Sequence, residues 1–301
     1  MTEDLGTLAL KETAPTRRGR RRRGGGEKAG PELFPQKPFR QPRHIFKPIE
    51  AISADELESI HDASMRVLEE IGMDFLHEDA KAMLKAAGAD VKPGDDRVRM
   101  DRAMVEELVA KAPAEFTLRA RNRKHDLQIG GDAIVFSCVA STPNVVDRDG
   151  GRRPGNREDF QKLLKLAQFF NIIHAPLGYP VEPVDLHASI RHLDCIADAI
   201  RLTDKTLHLY SLGKERNHDG IELARIANGL THEELVDTPC TLTVINTSSP
   251  LRLDTPMLQG IIEMAKAGQV SVVTPFTLAG ALAPVTVAGA LTLQTAEALA
   301  G

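Results

Sequence analysis

Two short stretches concentrate the side chains that could hold a small polar molecule. Asn246-Thr247-Ser248-Ser249-Pro250-Leu251-Arg252 and Thr274-Pro275-Phe276-Thr277-Leu278-Ala279-Gly280 each follow directly on an apolar run rich in β-branched residues. Amides and hydroxyls on a tight turn can orient a substrate by hydrogen bonds, and a nearby aromatic ring can receive a cation. His174, Tyr179, His208, Tyr210 and Ser211 stand at corresponding places around earlier apolar runs. The same residue types also satisfy loop backbone groups, so composition alone leaves a binding site and an ordinary turn on equal terms.

Other chemistries find less support. The ten histidines form no H-E-x-x-H and no neighbouring Cys/His set, so no metal site is expected. His187 and His192 lie five residues apart, a poor spacing for one helical face. Ser211-Leu212-Gly213-Lys214 has S-x-x-K spacing without the companion motifs. Asp185-Leu186-His187-Ala188-Ser189-Ile190 approaches the D-x-H-x-x-G signature of corrinoid-binding domains. Ile190 replaces the glycine, and the stretch reads as the start of an amphipathic helix. G-x-G-x-x-G, Walker A and G-x-S-x-G are absent. No residue is named as catalytic from these patterns.

The elements that must position these turns are regular from residue 156 onward. Asn156 caps a helix with Phe160, Leu163, Leu164 and Ala167 on one face, and a strand is expected at 172–175. Asp185 is expected to cap the next helix, with Leu186, Ile190, Leu193, Ala197 and Ile200 as its apolar face. Strands at 206–211, 240–246 and 270–274 alternate with helices at 221–228, from Thr255 as cap with Pro256 in the first turn to before Gly268, and from about 285 onward. The four strand starts, 172, 206, 240 and 270, are spaced by 34, 34 and 30 residues, the length of one strand–helix unit. Such a repeat fits a doubly wound sheet or a barrel, and the missing dinucleotide fingerprint favours the barrel. The expected fold is therefore α/β, a (β/α)8 TIM-type barrel that is incomplete in this chain. Residues 151–301 form its first part, as in a fragment whose last helix is still running.

Residues 51–150 read as an N-terminal helical and β-hairpin elaboration. A capping box at Ser53–Glu56 opens a helix to Gly72, a second helix spans 78–87, and Asp101 caps a third that closes before Pro113. Strand-like runs follow at 116–121, 134–141 and 144–147. Residues 1–50 lack periodicity and carry 12 Lys+Arg against 6 Asp+Glu, within a chain of net charge −4. The arginines at 17, 18 and 20–23 read as a disordered basic arm; no zinc spacing or nucleic-acid-binding motif accompanies them, so nucleic acid is not expected as a partner. No apolar run approaches the roughly 20 residues of a membrane span, and no signal peptide is apparent. Three dispersed cysteines fit free thiols in a reducing compartment, and a cytoplasmic protein is expected.

At its two strand-end turns the chain resembles the trimethylamine methyltransferase family. The resemblance is carried by residues 245–254 and 273–286, and is supported by Gly151-Arg152-Arg153-Pro154-Gly155 and Leu68-Glu69-Glu70-Ile71-Gly72. It covers about 45–301 and implies a β/α barrel that passes a methyl group from a methylated tertiary or quaternary amine to the cobalt of a separate corrinoid protein. No cofactor would then be bound directly; the corrinoid comes with the partner, and a homo-oligomer is compatible. The substrate residues it implies are Asn246, Thr247, Ser248 and Thr274 on the matched turns, with Phe276, Tyr210, Tyr179 and His174 as aromatic or polar companions. The pyrrolysine that some members carry would lie in a part of the barrel outside this chain. The alternatives are another barrel enzyme such as an aldolase or phosphate-binding lyase, and a non-enzymatic nucleic-acid-binding protein using the arginine-rich arm.

Overall fold

The computed structural model describes residues 35–301, so the arginine run at 17–23 and most of the expected basic arm lie outside the described residues. Helix α1 (Ala54–Arg66) opens with the expected capping box, in which Ser53 Oγ accepts from Glu56 N and Glu56 Oε2 accepts from Ser53 N at 2.8 Å. A π-helical turn at Val67–Ile71 carries it to Gly72. There φ is +79°, and an added Cβ would lie 2.3 Å from the Val98 carbonyl oxygen, so only glycine fits. Strand β1 (Met73–Phe75), helix α2 (Glu78–Ala86), strands β2 (Asp90–Val91) and β3 (Arg97–Arg99) and helix α3 (Arg102–Val109) follow. Hairpins β4–β5 (Phe116–Leu118, Leu127–Ile129) and β6–β7 (Asn144–Asp147, Gly151–Pro154) come next.

The second half runs through α4 (Arg157–Phe169), α5 (Arg191–Leu202), β8 (Leu207–Leu209), α6 (Lys214–Asn228), α7 (His232–Val236) and β9 (Thr241–Asn246). Then come β10 (Arg252–Leu253), α8 (Thr255–Lys266), β11 (Val270–Thr274) and α9 (Val287–Ala300). Strands β8, β9 and β11 make a parallel sheet in the order β11-β9-β8, with β9 central. The architecture is mixed α/β with an open sheet; no closed sheet forms among the described residues.

Three expectations are corrected. The strands at 172–175 and 134–141 reduce to one shared bridge, Ser137 with Ala175. Side chains take two of the groups a ladder would need: Lys205 Nζ donates to the Ile173 carbonyl, and His174 Nδ1 accepts from Phe136 N at 2.9 Å. The helix expected from Asp185 begins only at Arg191, because the Asp185 carboxylate is turned to Arg157 N at the start of α4, 2.9 Å away. The cap of α8 is Asp254, whose Oδ1 accepts from Met257 N at 3.0 Å, while Thr255 Oγ1 donates to the Leu76 carbonyl.

The parallel sheet has two different faces. Leu207 and Leu209 pack with Ile196, Ile221, Ala224 and Met264 beneath α5, α6 and α8. Burial of each such side chain contributes about 1.5–3 kcal/mol. Side chains alternate along a strand, so the other face carries His208, Leu242, Val244, Asn246, Val270, Val272 and Thr274. The register pairs His208 with Leu242, Val272 with Val244 and Thr274 with Asn246. Leu118 and Leu127 of the β4–β5 hairpin cover the N-terminal end of this face through Leu242, with Val270 packed alongside. What stays open is the end where the strands finish.

The N-terminal elements share a core with the strand-end turns. Met65, Leu68, Met73, Phe75 and Val98 pack with Ile245, Leu253, Leu258 and Ala296. Strand β1 pairs in parallel with β10, Asp74 opposite Arg252 and Phe75 opposite Leu253, so residues 51–150 grip the segment just after β9. At the opposite end of the sheet Lys205 is fully buried. Its Nζ donates to the carbonyls of Ala167 (2.6 Å), Phe170 (3.0 Å) and Ile173 (2.5 Å), closing the C-terminal end of α4.

Candidate functional site

Strand β9 ends at Asn246, and the next residues turn sharply to reach β10. The Ser249–Pro250 peptide is cis and Leu251 has φ +52°. Serine 248 donates from its backbone N to the Arg252 carbonyl at 2.8 Å, closing the turn. A buried carboxylate holds it from behind. Glu297 of α9, with no exposed surface, accepts from Thr247 Oγ1, from Ser249 Oγ at 2.6 Å and from Leu251 N at 2.7 Å. Two hydroxyls and a backbone N–H thus converge on one acceptor, the arrangement that makes a buried charge tolerable.

The matching end of β11 is tied to the same turn. The Thr274 hydroxyl donates to Asn246 Oδ1 at 2.7 Å and lies 3.2 Å from the Ile245 carbonyl. Phe276 N donates to Thr247 Oγ1 at 3.3 Å. Fixing Asn246 through Oδ1 leaves its Nδ2 as a donor at the strand end.

Beside these turns a groove of about 390 Å³ runs over the C-terminal ends of β8 and β9, lined among others by Ser141, His208, Tyr210, Ser211, Val244 and Asn246. That volume suits a small molecule. Tyr210 is held on two sides: its ring stacks on Tyr179 at 4.5 Å and 16°, and its hydroxyl donates to Ser141 Oγ at 2.6 Å. Tyr179 is buried and packs edge-on against Phe160, 5.6 Å between centroids. Ser141 has φ +59°. With Leu251 it places two non-glycine residues of left-handed backbone beside the turns and groove, and such strain recurs at binding sites. Burial pushes the His208 imidazole down to about 4, so it is neutral at physiological pH, and its Nδ1 is buried without a hydrogen-bond partner.

Several residues singled out in the sequence come together here. Asn246 and Tyr210 line the groove, Tyr179 backs Tyr210, and Thr274 and Thr247 set the turn geometry. Ser248 and Phe276 are exposed beyond the groove lining, Phe276 at 55%. His174 lies elsewhere: fully buried against Phe39 and Phe136, it accepts from Phe136 N and donates from Nε2 to the Arg40 carbonyl at 3.1 Å. Both its ring nitrogens are therefore used by backbone, and burial lowers its proton affinity. Ser211, S of the S-x-x-K, accepts from Asn217 Nδ2 at 3.1 Å. Cys138, Cys195 and Cys240 are free thiols.

Glu297 was missed by sequence reasoning, although a signal existed: it is the one charged residue in the 14-residue stretch of α9. Ser141 carried no signal, because only folding brings it to Tyr210. Among the described residues no cluster of three or more His, Cys, Asp or Glu could hold a metal, and no helix is long and apolar enough to cross a membrane.

Residues 17–301 match the family model described as trimethylamine methyltransferase (MTTB). The chain is 36% identical over 250 residues to a glycine betaine methyltransferase of Desulfitobacterium hafniense (strain Y51), covering 83% of this chain and 52% of that protein. It is 26% identical to the trimethylamine methyltransferase MttB of Desulfitobacterium hafniense (strain DSM 10664 / DCB-2), covering 82% and 50%. To the proline betaine:corrinoid methyltransferase of Eubacterium limosum it is 22% identical, covering 83% and 52%. The chain spans about half the length of the curated relatives it matches. With the match running through both strand-end turns and the helix that carries Glu297, the chain belongs to the trimethylamine methyltransferase family.

Proposed function

We propose that the chain is the first part of a β/α-barrel methyltransferase, and that its strand-end groove binds a tertiary or quaternary methylated amine for methyl transfer to a separate corrinoid protein. The observation that carries this reading is the Tyr210 ring, stacked on Tyr179 and lining the groove at the C-terminal ends of a parallel sheet. In β/α barrels that end of the sheet holds the active site. An aromatic ring fixed at such a place attracts a methylated ammonium through its π-face, by about 0.5–2 kcal/mol. Family membership and relatives named as glycine betaine, trimethylamine and proline betaine methyltransferases support the same chemistry.

A corrinoid protein, once docked, would supply reduced cobalt as the nucleophile for the methyl carbon. The chain's own task is positioning. Tyr210 receives the cation, the Asn246–Thr274 pair fixes the rim, and the Glu297-anchored turn keeps that rim rigid. A quaternary ammonium leaves as a neutral amine and needs no proton, so a groove without a strong acid can serve it; orientation supplies the acceleration. Residues 51–150 act as an N-terminal elaboration that braces the turn through β1 and β10. The protein works in the cytoplasm.

The test is methylation of free cob(I)alamin, or of the cognate corrinoid protein, by this protein with trimethylamine, glycine betaine and related amines. Methylcobalamin should accumulate with at least one donor. None with any donor refutes the proposal.

A further inference from the structure

Tyr210 is gripped from two sides by one piece of the chain. Tyr179 stacks on its ring, 4.5 Å between centroids at 16°, and Ser141 Oγ accepts from its hydroxyl at 2.6 Å. The two grips are tied to each other. Ser141 N donates to the Tyr179 carbonyl, Thr142 Oγ1 to the Pro180 carbonyl at 3.1 Å, and Glu182 N to the Thr142 carbonyl at 2.8 Å. Gly178 lets the two segments approach, since an added Cβ there would lie 2.5 Å from the Ala140 Cβ. Ser141 and Tyr179 therefore hold Tyr210 as parts of a single clamp.

The two grips do different things. Stacking sets the plane of the Tyr210 ring and covers one face, so the other is the only face a cation in the groove can reach. Stacking does not fix where the ring lies within that plane, because offset rings slide against one another at little cost. The hydroxyl bond supplies that constraint. Ser141 makes it from left-handed backbone, φ +59°, which serine adopts at a cost and glycine adopts freely. Backbone ease alone would favour glycine here; what serine adds is the acceptor. Both Ser141 and Tyr210 line the groove, and a ring fixed before a ligand arrives loses less freedom on binding.

We infer that Ser141 is a positioning residue of the groove, whose hydroxyl fixes the Tyr210 ring in the place where it receives a methylated ammonium. The inference rests on the cation-binding reading of Tyr210 given above and adds to it the residue that holds the ring ready. Ser141 acts through Tyr210 and requires no contact with the ligand. The protein supplies its own probe of this contact. It has two tyrosines and no tryptophan, and the two tyrosines are the stacked pair, so its tyrosine circular dichroism reports on these two rings.

Near-ultraviolet circular dichroism of the ligand-free protein and calorimetric titration with tetramethylammonium test it, in the unaltered protein, Ser141→Gly, Tyr210→Phe and the double variant. Ser141→Gly deletes the acceptor while easing the backbone, so its melting should change little. Its tyrosine band should nevertheless shrink, and tetramethylammonium should bind about 3- to 10-fold more weakly, the value of one hydrogen bond between neutral groups. Tyr210→Phe, which keeps a ring and removes the donor, should weaken binding as much. The double variant should lose no more than either single one, because all three lack the same bond. An unchanged tyrosine band in Ser141→Gly, binding within about twofold, or losses that add in the double variant overturn the assignment and leave the methyltransferase proposal standing. If Ser141→Gly does not fold, Tyr210→Phe decides, since unweakened binding in it also overturns the assignment. If tetramethylammonium does not bind the unaltered protein, the cation-binding reading of the groove falls, and the tyrosine band alone decides whether Ser141 positions Tyr210.

Discussion

Removing the Glu297 carboxylate tests whether the turn after β9 is held from behind by α9. Glu297→Ala deletes the acceptor for Thr247 Oγ1, Ser249 Oγ and Leu251 N, all in a site with no solvent exposure at the carboxylate residue. Hydrogen bonds to a charged group contribute about 1.5–3 kcal/mol each. The two hydroxyls, 3.0 Å apart, can bond to each other once the carboxylate is gone, which recovers part of the loss. The Leu251 N–H has no such substitute. The expected cost is about 3–5 kcal/mol, including the cavity left behind. Glu297→Gln keeps a carbonyl for Leu251 N and an amide that the reoriented hydroxyls can accept from, so it should cost only about 1 kcal/mol. Urea unfolding gives both values by linear extrapolation, and amide exchange at Leu251 should rise in the alanine variant alone. An alanine variant within about 1 kcal/mol of the unaltered protein, or a glutamine variant as damaged as alanine, would refute the reasoning.

Other consequences follow from the same geometry. Since the His208 imidazole is held down to about 4 in the folded chain and titrates near 6.5 when unfolded, its neutral form stabilises the fold above pH 6.5 and that contribution is lost as pH falls towards 4. The loss is about 3 kcal/mol at most, and His208→Gln should show a shallower fall in stability over pH 6.5 to 4; parallel curves would contradict the assignment. Lys205→Met should destabilise by about 2–4 kcal/mol, because three carbonyls at the end of α4 lose their donor; chemical denaturation measures this, and a neutral effect would show that water replaces the ammonium. Gly260→Ala places a Cβ 1.8 Å from Ser211 Oγ, an overpacking of about 1–3 kcal/mol, and Ser211→Gly in the same chain should relieve most of it. Unchanged melting in the single variant would refute that packing.

The helices of this protein were written locally. Caps at Ser53, Asp101 and Asn156, the glycine stops at Gly72 and Gly268, and the apolar stripe of α4 are short-range features, and they appear where the residues place them. Strands 9 and 11 were equally legible, since a β-branched run bounded by turn residues has little else to do. The family, too, was readable in the motifs of residues 245–254 and 273–286. Tertiary structure decided the rest. It spent the Ile173 carbonyl on Lys205 and the Phe136 N–H on the His174 ring, which leaves only one bridge between these stretches, and it turned Asp185 from capping its own helix to capping α4. It separated His174, which faces backbone in the core, from Asn246 and Tyr210, which face the groove. It also brought Glu297 to Thr247 across 50 residues and Ser141 to Tyr210 across 69. Residue type states what a side chain can bond; only the packed chain states which partner it has left free.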